Sequence, residues 1–237
     1  MDLSVGGNVF GLEEDQLPTL RDMHERLEDP AIIEGVRDTG GRVTLAIYDC
    51  KKPVIAAING PAVGIGITMT LAMDIRLASE KARIGFVFGR LGIVLEACSS
   101  WFLPRIVGMA QALDWVYSAE VFDAQEALRG GLLKSVHAPE DLLEAAYAIA
   151  RPLARRSPVG NALTRQMLYR NSAYAHPLEA HRVDSLAVFY TSQADGQEGV
   201  RAFLEKRAPE FRSRASTDMP PFYEQWVAMQ GEGMGGD

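Results

Sequence analysis

The stretch Lys52-Pro53-Val54-Ile55-Ala56-Ala57-Ile58-Asn59-Gly60-Pro61-Ala62-Val63-Gly64-Ile65-Gly66 decides how the rest of the chain is read. Pro53 introduces an apolar run over residues 54–58. Its length suits a strand, and its continuity suits a strand covered on both faces. Gly60, Gly64 and Gly66 then make a turn, and residues 67–73 read as a buried helix. Strand, glycine turn and helix together place backbone N–H groups at a helix N-terminus, where negative charge is stabilised. Two chemistries use that geometry: phosphate binding in a dinucleotide fold, and an oxyanion hole for a thioester enolate. A tight turn with no chemistry is the plain alternative.

Outward from this stretch, residues 74–79 and 82–86 read as further strands, and the alternation indicates α/β crossover units. Upstream, residues 16–27 suit a polar helix. Gly40 and Gly41 break the chain before a short strand at 43–48. Downstream the chain is helix-rich. Residues 108–118 form one helix, and Asp123 caps a short one that ends at Gly130 and Gly131. A short strand is expected at 132–136, then helices over 139–155, 158–169, 177–190 and 197–206. From Arg212 onward the composition is polar, with Pro220-Pro221 and a glycine-rich end, so disorder is expected over the last dozen residues. The division expected is a core over 1–157, a helical region over 158–212 and a polar tail over 213–237.

The 237 residues carry a formal net charge of -7. A nucleic-acid binder needs a basic stripe to displace counterions from phosphates, so no nucleic-acid partner is expected. A local Lys or Arg cluster can still serve an anionic ligand. Cys50 and Cys98 are the two cysteines and form no CxxC pair. A disulfide framework and a zinc site are therefore not expected, and a reducing cytoplasm is. No apolar run reaches membrane-spanning length, and residues 1–15 lack a signal-peptide pattern, so no membrane partner is expected.

Gly60, Gly64 and Gly66 have the glycine spacing of short-chain dehydrogenases, and Tyr48 with Lys52 has their Tyr-x-x-x-Lys spacing. Both order rules fail. In that family the tyrosine follows the glycine turn by a long interval, and the turn lies on the first strand.

Other motifs decide the matter. Residues 52–66, then Met73-Asp74-Ile-Arg-Leu-Ala-Ser-Glu80, Leu91-Gly92-Ile93, Leu103-Pro104-Arg105-Ile-Val-Gly108, Ala124-Gln-Glu-Ala-Leu128 and Phe203-Leu-Glu-Lys206-Arg207-Ala-Pro209-Glu-Phe211 closely resemble the enoyl-CoA hydratase/isomerase (crotonase) family. The likeness spans most of residues 43–212, in the family's order. It implies an α/β fold, a crotonase-like ββα spiral whose C-terminal helices mediate trimers or hexamers. It also implies an acyl-CoA substrate, with coenzyme A as part of that substrate and no separate cofactor. Two backbone N–H groups would hold the thioester oxygen, one of them that of Ile65 by position. Gly64 and Gly66 would keep the approach open, and Ala62 would line the substrate. Phe203 and Lys206 match positions that contact the CoA nucleotide from a neighbouring subunit, and Lys52 is a weaker candidate for the same role.

Hydratases of this family use two glutamates to activate water. Their positions fall on Thr68 and Phe88, neither of which can act as a carboxylate base. A carboxylate appears slightly later, in Leu95-Glu96-Ala97-Cys98-Ser99-Ser100. This resembles the Pro-Glu-Gly-Cys-Ser-Ser stretch of Δ3,Δ2-enoyl-CoA isomerases, whose glutamate shuttles a proton. Burial among Phe88, Trp101 and Phe102 is expected to raise the pKa of Glu96 and strengthen it as a base. The alternative for Glu96 is a charge favouring a helix N-terminus. Ser99, Ser100 or Cys98 with His137, His176 or His181 would make a hydrolase, but no nucleophile elbow surrounds them. His176 and His181 are five apart, off the spacing for a shared metal, so no metal is expected.

Family members carry roughly 50 to 60 further residues ahead of the matched region. Met1-Asp2-Leu3-Ser4 resembles the tail of the motif that supplies the other oxyanion donor, which would then lie upstream. A second alignment makes the Val5 N–H that donor. The competing readings are an isomerase acting through Glu96, a hydratase with atypical residues, and a non-catalytic acyl-CoA-binding paralogue or truncated product.

Overall fold

Why residues 39–49 form a helix, when residues 43–48 read as a strand, is visible at Asp38. The computed structural model of the protein describes residues 19–232. The Asp38 carboxylate accepts from the Gly41 N–H and starts helix α3 (Thr39–Asp49). Gly41 and Thr44 are buried and Tyr48 is half-buried along one stripe, while Val43 and Leu45 face solvent. That is a 3.6-residue period, so the glycine pair lies inside the first helical turn and does not break the chain. Before it stand α1 (Leu20–Glu25), started by a reciprocal Thr19–Asp22 capping box, and α2 (Pro30–Gly35), capped by Asp29 with Pro30 at its first position. The readings placed on residues 1–18, including Val5 and the 1–4 motif, lie outside the described residues, as does the end of the tail.

The strands β1 (Ile55–Ile58), β2 (Ala62–Val63), β3 (Ile75–Ser79), β4 (Arg83–Gly85), β5 (Val121–Asp123) and β6 (Ser135–His137) form two three-stranded sheets. One is parallel, in the order β1-β3-β6. The other has the order β2-β4-β5, with β2 and β4 parallel and β4 and β5 antiparallel. Over β1 to β4 the chain alternates between the sheets, which is the spiral expected. The strand covered on both faces is the central β3, whose last four residues are all buried. β1 buries Ala56 and Ile58 but exposes Ala57. Its apolar run was therefore misread as doubly covered: Ala57 points to the face opposite Ala56 and Ile58 and is exposed there.

The remaining helices are α4 (Ile65–Thr68), continued by a 3-10 turn at Met69–Ala72, then α5 (Ser99–Val107), α6 (Met109–Ser118), α7 (Ala124–Arg129), α8 (Leu142–Ala154), α9 (Pro158–Asn171), α10 (Pro177–Gln193), α11 (Asp195–Leu204) and α12 (Phe222–Glu232). Asp123 caps α7 and Gly130 ends it, as read from the sequence. The main core joins β1, β2, β4 and α4 to Phe86, Phe88, Phe102, Leu103 and Trp115.

Contacts cross both boundaries of the expected division. The helix beginning at Pro158 is fastened into the core: Arg165 of α9 reaches Asp74 and the carbonyls of Ile47, Tyr48, Cys50 and Ala72. The segment expected to be a polar tail carries α12, which buries Tyr223 and Trp226 against Val159, Leu163, Val183 and Ala187. The two aromatics lie three apart, so one helical face reaches the α9–α10 surface despite a polar average.

Candidate active site

Gly64 has φ +55° and ψ −127°, a conformation that a side chain would strain, and it turns the chain from β2 into α4. Its N–H donates to the Gly85 carbonyl, and its own carbonyl accepts from Ile67 and Thr68. The N–H groups of Ile65 and Gly66 stand in the first turn of α4, where a helix supplies no acceptor of its own. A Cβ added at Gly64 or Gly66 would meet no atom within 4 Å, so this face of the turn is open.

Glu96 comes to the same helix from the other side. Its Oε1 accepts a 2.5 Å hydrogen bond from the Thr68 hydroxyl, one turn along α4 from Ile65. A Cβ at Gly40 would collide with Glu96 Oε2 and lie 2.7 Å from Ile65 Cδ1, so the bare Gly40 backbone gives room to the ends of both the Glu96 and the Ile65 side chains. The carboxylate is thus gripped between α4 and the N-terminus of α3. Withdrawal from water raises its pKa above the usual carboxylate range. The Asp38 charge adds to the rise, and the Thr68 hydrogen bond opposes it. The direction is the one expected from the sequence, but Asp38 was not foreseen.

The alternative for Glu96, a charge serving the α5 N-terminus, does not fit. Its side chain turns to Thr68, while its backbone carbonyl accepts from Ser99 Oγ and Ser99 N–H. Between Glu96 and α5, Ala97 and Cys98 both have left-handed backbones, with φ of 54° and 56°. Ala97 occupies the place where the related motif has glycine.

The other expected site residues divide. Ala62 and Phe88 are buried in the main core. Trp101 packs against Phe102 and Tyr48 and lies under the Arg105 guanidinium at 3.9 Å. Lys52 lines a cavity of about 520 Å³ at the N-terminal end of β1, with Pro53, Ile55, Leu153, Pro158 and Arg214. The glycine turn lies beyond the other end of that strand, and four strand residues span roughly 13 Å. Phe203 and Lys206 lie at the end of α11, both exposed, Phe203 by 81%. Among the described residues no hydrogen bond joins Ser99 or Ser100 to a histidine. His137 pairs with Ser135 at 2.7 Å, His176 caps α10, and burial raises the Cys98 thiol pKa, which keeps it protonated. Among the described residues no cluster of three His, Cys, Asp or Glu side chains could hold a metal, and no helix is long and apolar enough to cross a membrane.

The fold is thus an α/β spiral with the first-turn N–H groups of α4 at a glycine turn and the Glu96 carboxylate bonded one turn further along that helix. Residues 19–214 match the family described as enoyl-CoA hydratase/isomerase. An enoyl-CoA hydratase of Alternaria alternata is 46% identical over 179 residues, which is 74% of this chain and 60% of that protein. The 2,3-dehydroadipyl-CoA hydratase of Escherichia coli is 34% identical, covering 76% of this chain and 70% of its own length. An enoyl-CoA hydratase/isomerase structure from Cupriavidus metallidurans superposes with a TM-score of 0.70 at 32% identity, over 82% of this chain and 73% of that one. The chain belongs to the enoyl-CoA hydratase/isomerase family, and its fold is the crotonase fold.

Proposed function

We propose that the protein moves a proton on an enoyl-CoA, with Glu96 as the base and the thioester oxygen held at the Ile65 N–H. The observation that carries this reading is the placement of a carboxylate of raised pKa beside the open end of α4. In a 3-enoyl-CoA, Glu96 takes a proton from C2. The electron pair moves onto the thioester oxygen as a dienolate, the 3,4 double bond shifts to 2,3, and Glu96 returns the proton at C4. One carboxylate suffices for both transfers, and a raised pKa suits each direction. Hydrogen-bond donation to the oxyanion supplies a further factor on the order of 10² to 10³. Coenzyme A enters as part of the substrate. Exposed Phe203 and Lys206 suit contact with the nucleotide of a substrate bound by a neighbouring copy in a trimer or hexamer.

Hydration is a second reading, because hydratase is the name carried by both sequence relatives above. In this chain Glu96 alone would then activate the water. Assaying 3-enoyl-CoA isomerisation and 2-enoyl-CoA hydration side by side separates the two. Glu96→Gln should lower whichever turnover is present by about 10² to 10⁴ and leave CoA binding intact. Full turnover in that variant would sink the assignment. CoA binding by a native chain that turns over neither substrate favours an acyl-CoA-binding paralogue instead.

A further inference from the structure

Asp38 does more than an ordinary helix cap. Its Oδ1 accepts from the Gly41 N–H at 2.5 Å, which starts α3, and also from the Ala97 N–H at 3.1 Å, across 59 residues of sequence. Ala97 is the residue after Glu96 and the first of two consecutive non-glycine residues with left-handed backbones. Such backbones persist only where the surroundings hold them. The Asp38 bond is a direct tie on that pair from outside its own segment. Gly40, two residues along the same helix, is the surface against which Glu96 Oε2 rests.

We propose that Asp38 is the positioning residue of this site: by joining the start of α3 to the Ala97 N–H, it holds the turn that aims Glu96 at Thr68 and the α4 N-terminus. This rests on the reading of Glu96 as the base. A cap alone needs one acceptor and one N–H; here the same oxygen serves two segments, and the second has no helix to cap at Ala97. The groups that face Glu96 are Thr68 from α4, Gly40 and Asp38 from the start of α3, and the Cys98 thiol on its own segment. Asp38 is the neighbouring charge, and it favours a protonated Glu96. Because Asp38 is exposed on its outer side, solvent screens that effect, and position outweighs charge.

Two substitutions separate the roles. Asp38→Asn keeps an amide oxygen for both N–H groups and removes the charge. Asp38→Ser keeps a cap for α3 but is too short to reach Ala97. The measurements are kcat and KM for the better acyl-CoA substrate, thermal unfolding, and the Glu96 carboxyl titration by carbon NMR, assigned with Glu96→Gln. Asp38→Ser should lose about tenfold or more in kcat, with KM and unfolding temperature close to native. Asp38→Asn should retain most of kcat and titrate Glu96 at lower pH. Native kcat in Asp38→Ser, or loss of kcat only in step with unfolding temperature, would overturn the proposal. So would a loss of kcat in Asp38→Asn as large as that in Asp38→Ser. If the titration moves but Glu96→Gln stays active, the Asp38–Glu96 linkage stands and the reading of Glu96 as base fails.

Discussion

Arg165 and Glu96 are both charges drawn into the protein, and the structure treats them in opposite ways. The Arg165 side chain is 4% exposed, and every guanidinium N–H has an acceptor. Nε donates to both Asp74 oxygens at 2.9 and 3.0 Å, and the terminal nitrogens donate to four carbonyls between 2.6 and 3.1 Å. Asp74 in turn accepts from the Val54 N–H and from the Tyr169 hydroxyl, whose pKa is pushed up to about 12 by burial and by Asp74 itself. The Glu96 carboxylate has one hydrogen bond among the described residues, from Thr68, and a like charge nearby. A charge satisfied on all sides fastens elements together and resists proton exchange. One satisfied on a single side is poised to take a proton. Fold and chemistry occupy the two ends of this difference.

The largest break in the comparison comes at the satisfied end. Arg165→Met removes the counter-charge from Asp74 and takes one donor from each of four carbonyls. Asp74 keeps the Val54 N–H and the Tyr169 hydroxyl, and Tyr48 and Cys50 keep Gln166 Nε2. The expected loss is about 3 kcal/mol of unfolding free energy, at the low end for breaking a buried pair because Asp74 stays partly exposed. Denaturant unfolding of the variant checks this. A loss below about 1 kcal/mol would mean that the Arg165 cluster does not fasten α9 to the core.

A middle-sized effect is expected at the unsatisfied end. Thr68→Val keeps the shape of the side chain and removes the one donor that stabilises ionised Glu96. The Glu96 pKa then rises further. A base must be deprotonated to act, so the acidic limb of the pH–rate profile moves to higher pH while the high-pH plateau stays near native. The stability sign follows from proton linkage. Native Glu96 has its pKa above the unfolded value, so the folded state binds more protons in that window and stability falls as pH rises through it. Glu96→Gln should therefore unfold at higher temperature than native above that window and match it more closely below. Unfolding curves at several pH values test the sign, and a lower unfolding temperature for Glu96→Gln at neutral pH would reverse it.

How far the sequence disclosed these two regions differs for physical reasons. β1, the Gly64 turn, β3 and helices α6 to α11 were legible because period, caps and glycines act over a few residues. The segment at α3 was misread because β-branched and aliphatic residues follow two glycines there. The missed signal was Asp38, an acidic residue placed to cap. α12 was missed because only Tyr223 and Trp226, three apart, bury in a polar segment. Glu96 was legible from its motif, yet its contact with Asp38 spans more than fifty residues and no local pattern encodes it. The roles of Arg165 and Arg170 have no local signal either; Asp74 and Asp49, their partners, are 91 and 121 residues away.

The smallest effect sharpens the comparison most. Cys98 has a left-handed backbone at the start of α5, half-buried, with its side chain packed on the main core. Cys98→Gly relieves a strain of about 1 kcal/mol at that φ. It also frees the unfolded chain, at a cost of about 0.5 to 1 kcal/mol, and forfeits the packing of the thiol. These terms nearly cancel, so unfolding free energy should change by less than about 1 kcal/mol in either direction. Turnover should not be spared in the same way. The turn that aims Glu96 would gain freedom, and a displaced base loses rate steeply, so kcat should fall by about tenfold. The same small change near Arg165, where six contacts already fix the guanidinium, would leave it in place. An unchanged kcat in Cys98→Gly would show that Glu96 is held by Thr68 and Gly40 alone, and that the strained turn contributes nothing to its aim.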